Sequence, residues 1–75
     1  MNVTAVGSTT LAIVGFEEAA GILQLEFRSG PLYRYSGVPA EVYEGLLRTS
    51  SKGRYFNEHI RDRFQHDRMA RAARA

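Results

Sequence analysis

Polar and apolar positions along this chain follow two different repeats. Over residues 22–28 they alternate, with Leu23, Leu25 and Phe27 on one side and Gln24, Glu26 and Arg28 on the other. A period of two predicts a strand with one face in a core and the other in water. Upstream, residues 9–16 are β-branched and apolar and predict a first strand, joined through a hairpin loop at 17–21. Downstream, Ser29, Gly30 and Pro31 supply a turn, because glycine reaches positive φ and proline lacks the N–H a ladder needs. A third strand follows from Leu32 and ends at Gly37, with Tyr33 and Tyr35 on one face and Arg34 on the other. A three-residue loop sets Phe27 opposite Tyr33 and Leu25 opposite Tyr35. That register groups both rings with the apolar row and leaves Arg34 in solvent.

Beyond Val38 the period becomes helical. Pro39 fits a first helical position, where its missing N–H costs nothing. Val42, Tyr43, Leu46 and Leu47 form an apolar stripe ending near Thr49. Ser50, Ser51, Lys52 and Gly53 break the pattern, and a serine there caps a second helix. Phe56, Ile60 and Phe64 recur every four residues and predict that this helix runs to about Arg68. The expected fold is therefore α+β: a three-stranded antiparallel β-meander followed by two α-helices packed on one face. Residues 1–8 are expected to be a flexible lead-in, 9–68 the single domain, and 69–75 an exposed Ala/Arg-rich tail. The expected core is Leu11 or Ala12, then Ile13, Leu23, Leu25, Phe27, Tyr35, Val42, Leu46, Phe56 and Ile60.

With 75 residues the chain makes one small domain, of the size that buries only about 60% of its unfolded surface. It has no cysteine, which excludes disulfides and Cys-based zinc sites. No leader-like or membrane-length apolar run is visible, so a cytoplasmic location is expected. The net charge is +2 and nine of the ten basic residues are arginine. Most positive charge lies after Pro39, a bias that favours an anionic partner, although solvated helix faces look similar.

Each candidate constellation has a structural alternative. Tyr33, Arg34 and Tyr35 could stack bases and hold a phosphate, or the tyrosines could simply be core. Ser50, Ser51, Lys52, Gly53 and Arg54 offer phosphate-binding chemistry at a helix start, or only a capped turn. They lack the Gly-x-x-x-x-Gly-Lys spacing of a nucleotide loop. His59 and His66 lie two helical turns apart and do not converge on a metal by themselves. Glu17 and Glu18 sit in a loop, a poor seat for paired-carboxylate catalysis. The run Arg61, Arg63, Arg68, Arg71 and Arg74 could follow a phosphate backbone or pair with Asp62 and Asp67.

Four motifs carry a family resemblance over residues 8–64. They are Leu23-x-Leu25-x-Phe27-x-x-Gly30, then Tyr33-Arg34-Tyr35 with Val38-Pro39, then Val42-Tyr43-x-x-Leu46, and finally Ser51-Lys52-Gly53-Arg54-Tyr55-Phe56-Asn57-x-x-Ile60-Arg61. In this order and spacing they resemble the KTSC domain family, which is named for its occurrence at the C-terminus of some lysyl-tRNA synthetases and which also occurs as stand-alone proteins. Phe16 departs from the tyrosine expected there. The resemblance implies an RNA context and attributes no catalytic residue. The expectation is a non-enzymatic module without cofactor, binding RNA or another polyanion weakly. Tyr33, Arg34, Tyr35, Lys52, Arg54, Tyr55 and Arg61 are the candidate contacts. The alternative is an adaptor that meets a protein partner, or a second copy of itself, through a sheet edge or the C-terminal helix.

Overall fold

The alternating segment forms the centre of a five-stranded antiparallel sheet. The computed structural model describes residues 2–69. Strands β1 (Asn2–Ala5), β2 (Leu11–Glu17), β3 (Ile22–Phe27) and β4 (Leu32–Tyr35) come first. Helices α1 (Ala40–Arg48) and α2 (Lys52–His59) follow, and β5 (His66–Met69) closes the order. The strands lie side by side in sequence order, so every sheet neighbour is also a chain neighbour among the strands. The expected meander is β2–β3–β4. A strand is added at each edge, and the helices leave and return on one face.

Both edge strands correct the sequence reading. Residues 2–5, expected in a lead-in, pair with β2 from Asn2 opposite Phe16 to Ala5 opposite Ile13. Residues 66–69, expected in a helix and the start of a tail, pair with β4 from Tyr35 opposite His66 to Leu32 opposite Met69. The rest of the predicted tail lies outside the described residues.

Helix α2 ends at His59, nine residues short of the expected boundary, because the chain turns there. The N–H groups of Ile60 and Arg61 both donate to the carbonyl of Phe56, at 3.0 and 2.8 Å. Asp62 takes a left-handed φ of 63°, a conformation that its short polar side chain tolerates better than most. Arg63 N–H then donates to Ile60 O, and Ser36 N–H to Gln65 O at 2.8 Å opens the β4–β5 ladder. Phe64 still packs against the core, but from this turn. A spacing of four that looked like one helical stripe is shared between a helix and a reversal.

The β3–β4 register also moves. Leu23 faces Tyr35 and Leu25 faces Tyr33, a shift of two residues from expectation. An even shift preserves which face each side chain takes, so both tyrosines stay with the apolar row and Arg34 stays opposite. In β2 a bulge at Ala12 changes the facing. Val14 and Phe16 enter the core, while Ile13, expected there, is only half-buried on the other side. Phe27 and Val42 line the core half-buried.

The buried cluster joins Leu11, Val14, Phe16, Leu23, Leu25 and Tyr35 of the sheet to Val38, Leu46, Phe56 and Ile60. Each fully buried leucine or isoleucine contributes about 1.5–3 kcal/mol. Phe16 extends the cluster by stacking on Tyr43 of α1 at 4.6 Å and 14°. Pro39 is the N-cap of α1 rather than its first helical residue, and its carbonyl receives Val42 N–H at 3.0 Å. Gly21 has a φ of 65°, which few other residues could adopt, and its carbonyl accepts Val38 N–H at 2.9 Å. That bond ties the β2–β3 turn to the entrance of α1.

Candidate nucleic-acid interface

The helix-covered face of the sheet carries two adjoining hollows. The larger, about 810 Å³, lies between the β1–β2 loop and the start of α2, with Ser8, Thr10, Lys52, Gly53, Arg54 and Asn57 in its walls. The smaller, about 410 Å³, lies between β4, the β3–β4 turn and the turn after α2. Tyr33, Tyr35, Arg61, Asp62 and His66 line it. Phe27 and Phe56 belong to both walls and meet edge to face at 5.2 Å. They form the ridge across which one hollow leads to the other.

Local chemistry builds the larger hollow. Ser8 Oγ accepts the N–H groups of Thr10 and Leu11, at 3.0 and 3.2 Å, and folds the β1–β2 loop back on itself. Arg28 clamps the loop from the turn just after β3: its guanidinium donates to the carbonyls of Ser8 and Val6, and its N–H donates to Thr10 O at 2.9 Å. The loop then reaches α2 so closely that a Cβ on Gly53 would sit 2.7 Å from Thr10 Oγ1. Gly53 therefore permits the contact by having no side chain.

Ser51 occupies the N-cap of α2, as its type predicts, but forms no side-chain cap bond. No acidic residue lies in the first turn, which instead holds Lys52 and Arg54. Cations at this end oppose the helix dipole. Lys52 lines the hollow and donates from Nζ to the carbonyls of Leu47 and Thr49, at 3.3 and 3.0 Å. It thus closes the end of α1 and spends two of its three donors within the fold. Arg54 faces Glu58 at 4.0 Å with both side chains largely exposed, a pair of little energetic weight.

The smaller hollow is built around Tyr35. Only 3% of this residue is exposed. Burial pushes its hydroxyl up to about 12; the nearby Tyr33 and Asp62 add to the shift and Arg61 opposes it. The phenol therefore stays protonated and neutral throughout the physiological range. His66 leans on its ring at 5.1 Å and meets Tyr33 edge-on at 5.7 Å.

Five of the seven sequence-derived candidates, Tyr33, Tyr35, Lys52, Arg54 and Arg61, are thus brought to one face. Arg34 and Tyr55 are not among them. Arg34 lies on the open side of the sheet, where its Nε donates to Gln24 Oε1 at 3.0 Å. Tyr55 points to α1, donating its hydroxyl to Val42 O at 3.1 Å while its ring rests by His59. Sequence reading missed Ser8, Thr10, Phe27, Phe56 and His66 as site residues. His66 enters only because β5 exists. The serine and threonine of the β1–β2 loop could have been found from their local capping tendency, but nothing nearby in sequence says that they face α2. Among the described residues no three His, Asp or Glu side chains gather to hold a metal ion. None of the described helices is long and apolar enough to cross a membrane.

Residues 7–64 match the KTSC domain. The chain belongs to the KTSC domain family. A KTSC domain protein from Yersinia pestis superimposes with a TM-score of 0.89 at 26% identity, covering 92% of this chain and 97% of that one. An uncharacterized protein from Stutzerimonas stutzeri is 45% identical over 58 residues, 77% of this chain and 82% of the relative. A lysine–tRNA ligase from Nostoc is 38% identical over 55 residues, which span 73% of this chain and 10% of the ligase. The KTSC fold is thus shared by free-standing small proteins and by a segment of a much larger enzyme.

Proposed function

We propose that this KTSC domain is a non-enzymatic binding module that takes RNA, or a similar polyanion, weakly across its helix-covered face. The observation that carries the reading is the convergence of Lys52, Arg54 and Arg61 with Tyr33 on two hollows that share one ridge. A relative named for tRNA, the Nostoc lysine–tRNA ligase, supports RNA over other polyanions. Lys52, Arg54 and Arg61 meet phosphates, and Tyr33 presents its ring. Arg34 and Tyr55 have no part in this interface.

Three cations neutralise about three phosphates, so log K falls with log salt at a slope of roughly −2 for a single strand. Affinity then drops about fifteenfold between 50 and 200 mM salt. Titrating labelled single-stranded and hairpin RNA at these two salt concentrations tests the proposal. No binding at the lower salt, or binding indifferent to salt, rejects it.

The adaptor reading finds less support. Both sheet edges are four-residue strands, and β5 carries His66, Asp67 and Arg68. Edges this short, and on β5 this charged, oppose strand addition. The described chain after His59 is a turn and a strand, so it offers no long C-terminal helix for docking.

A further inference from the structure

The smaller hollow differs in kind from the larger one. Beyond the shared Phe27 and Phe56, the larger is walled by hydroxyls, an amide, Lys52, Arg54 and the Glu58 carboxylate, whereas the smaller adds Tyr33, Tyr35 and His66 to that pair and so has five rings. The rings meet at steep angles, 89° for Phe27 with Tyr33, 76° for Tyr35 with Phe56 and 71° for Tyr33 with His66. Tyr33 with Tyr35 at 45° and Tyr35 with His66 at 31° are tilted less, so the rings line an open hollow from several directions instead of forming one stack. Its volume of about 410 Å³ falls within the range of small-molecule sites.

Tyr35 adds a separate observation. A phenol this deeply buried normally finds a hydrogen-bond partner. Among the described residues no hydrogen bond joins its hydroxyl to a protein group; no polar side-chain atom there is both buried and unpartnered, so this hydroxyl keeps the residue's little surface, at the hollow that Tyr35 lines. A polar ligand atom there would complete it. Arg61 and Asp62 line the same space and supply a donor and an acceptor.

Charge decides between the two ligand chemistries that suit an aromatic hollow. A cage for an organic cation needs a rim that is neutral or negative. Here Arg61 lines the hollow and Arg68 stands opposite Tyr33 in register, on the same face of the sheet, against the single carboxylate of Asp62. Two guanidiniums repel a cation and attract a phosphate. A planar group with a polar edge, attached to a phosphate, satisfies the rings, the phenol and the arginines together.

We propose that this hollow seats one unpaired nucleobase of a single strand, whose backbone continues over the Phe27–Phe56 ridge to Lys52 and Arg54. The inference rests on the polyanion reading and sharpens it, since a paired base inside a duplex has no free face to offer.

The test compares three labelled ligands at low salt: a short oligoadenylate, the same strand made abasic, and the strand annealed to its complement. Proteins are the wild type, Tyr33→Leu, which keeps apolar bulk without a π-face, and Tyr35→Phe, which removes only the hydroxyl. Circular dichroism confirms that each variant is folded. Adenosine monophosphate is titrated in parallel while the ring protons of Tyr33 and His66 are followed by NMR.

The oligoadenylate is expected to bind at least fivefold more tightly than the abasic strand, and Tyr33→Leu to remove that margin. Tyr35→Phe is expected to reduce it. The duplex, despite its denser charge, is expected to bind less tightly than the single strand. If all three ligands bind alike and Tyr33→Leu changes nothing, the base seat is wrong and the polyanion reading survives. If no oligonucleotide binds, the polyanion reading falls. The monophosphate then judges the hollow by itself: shifts at Tyr33 and His66 support the seat, and their absence overturns it.

Discussion

Replacing Gly45 with alanine should destabilise this protein, against the rule for helix interiors. Gly45 lies within α1, where glycine costs roughly 0.5–1 kcal/mol relative to alanine. On propensity alone, Gly45→Ala would be a stabilising change. The structure places a new Cβ 2.2 Å from the Tyr55 hydroxyl oxygen, 2.8 Å from its Cζ and 3.1 Å from its Cε2. A rigid ring cannot yield there without swinging away from α1. It would then lose its hydrogen bond to Val42 O, worth about 1 kcal/mol, and overpacking of this kind costs about 1–3 kcal/mol. After the propensity gain, the net loss is about 1–3 kcal/mol. For a domain of this length that lowers Tm by at least about 4 °C. Urea unfolding followed by circular dichroism measures the loss, with an unchanged m-value confirming that only stability moved. The decisive comparison is a double-mutant cycle with Tyr55→Ala. Without the ring, Gly45→Ala should gain about 0.5–1 kcal/mol. The same sign in both backgrounds would refute the steric argument.

Two further outcomes follow from single contacts. Lys52→Met keeps the aliphatic stem but removes the bonds to Leu47 and Thr49 carbonyls, so unfolding in urea should show a loss of about 1 kcal/mol. The same variant should make the salt slope of RNA binding shallower by about 0.7. Alkali should unfold the protein through Tyr35. Its folded hydroxyl is held near 12 against an ordinary value of 10, so the folded state binds more protons than the unfolded chain between these limits. Stability contributed by the protonated phenol is complete below pH 10 and is lost as pH rises towards 12, on the order of 3 kcal/mol in all. Chemical unfolding measured at intervals across that window should show the decline in the wild type and a flatter profile in Tyr35→Phe.

The readable parts of this fold are those whose signal is local and strong. The row Leu23, Leu25 and Phe27 alternates because β3 is central, covered by helices on one side only. The facing of Tyr33 and Tyr35 survived a register error because only the parity of the loop matters to it. The β5 strand left no such trace. His66, Asp67 and Arg68 are all exposed, and an edge strand pairs through backbone groups that every residue type carries. The β2 bulge was equally silent, because one extra residue in a run of apolar side chains does not disturb the run.

For the candidate interface, sequence established its ingredients: a Tyr-x-Tyr strand, a Lys-Gly-Arg turn and a later arginine. Which of these share a surface was a tertiary matter. Strand parity sent Arg34 to the open side, and the geometry of α2 sent Tyr55 towards Gly45. The reversal at Asp62 brought Arg61 and His66 to the same hollow as Tyr33. Periodicity along a chain specifies faces, because backbone geometry repeats locally. The meeting of two faces is specified only by packing, and packing depends on residues far apart in sequence.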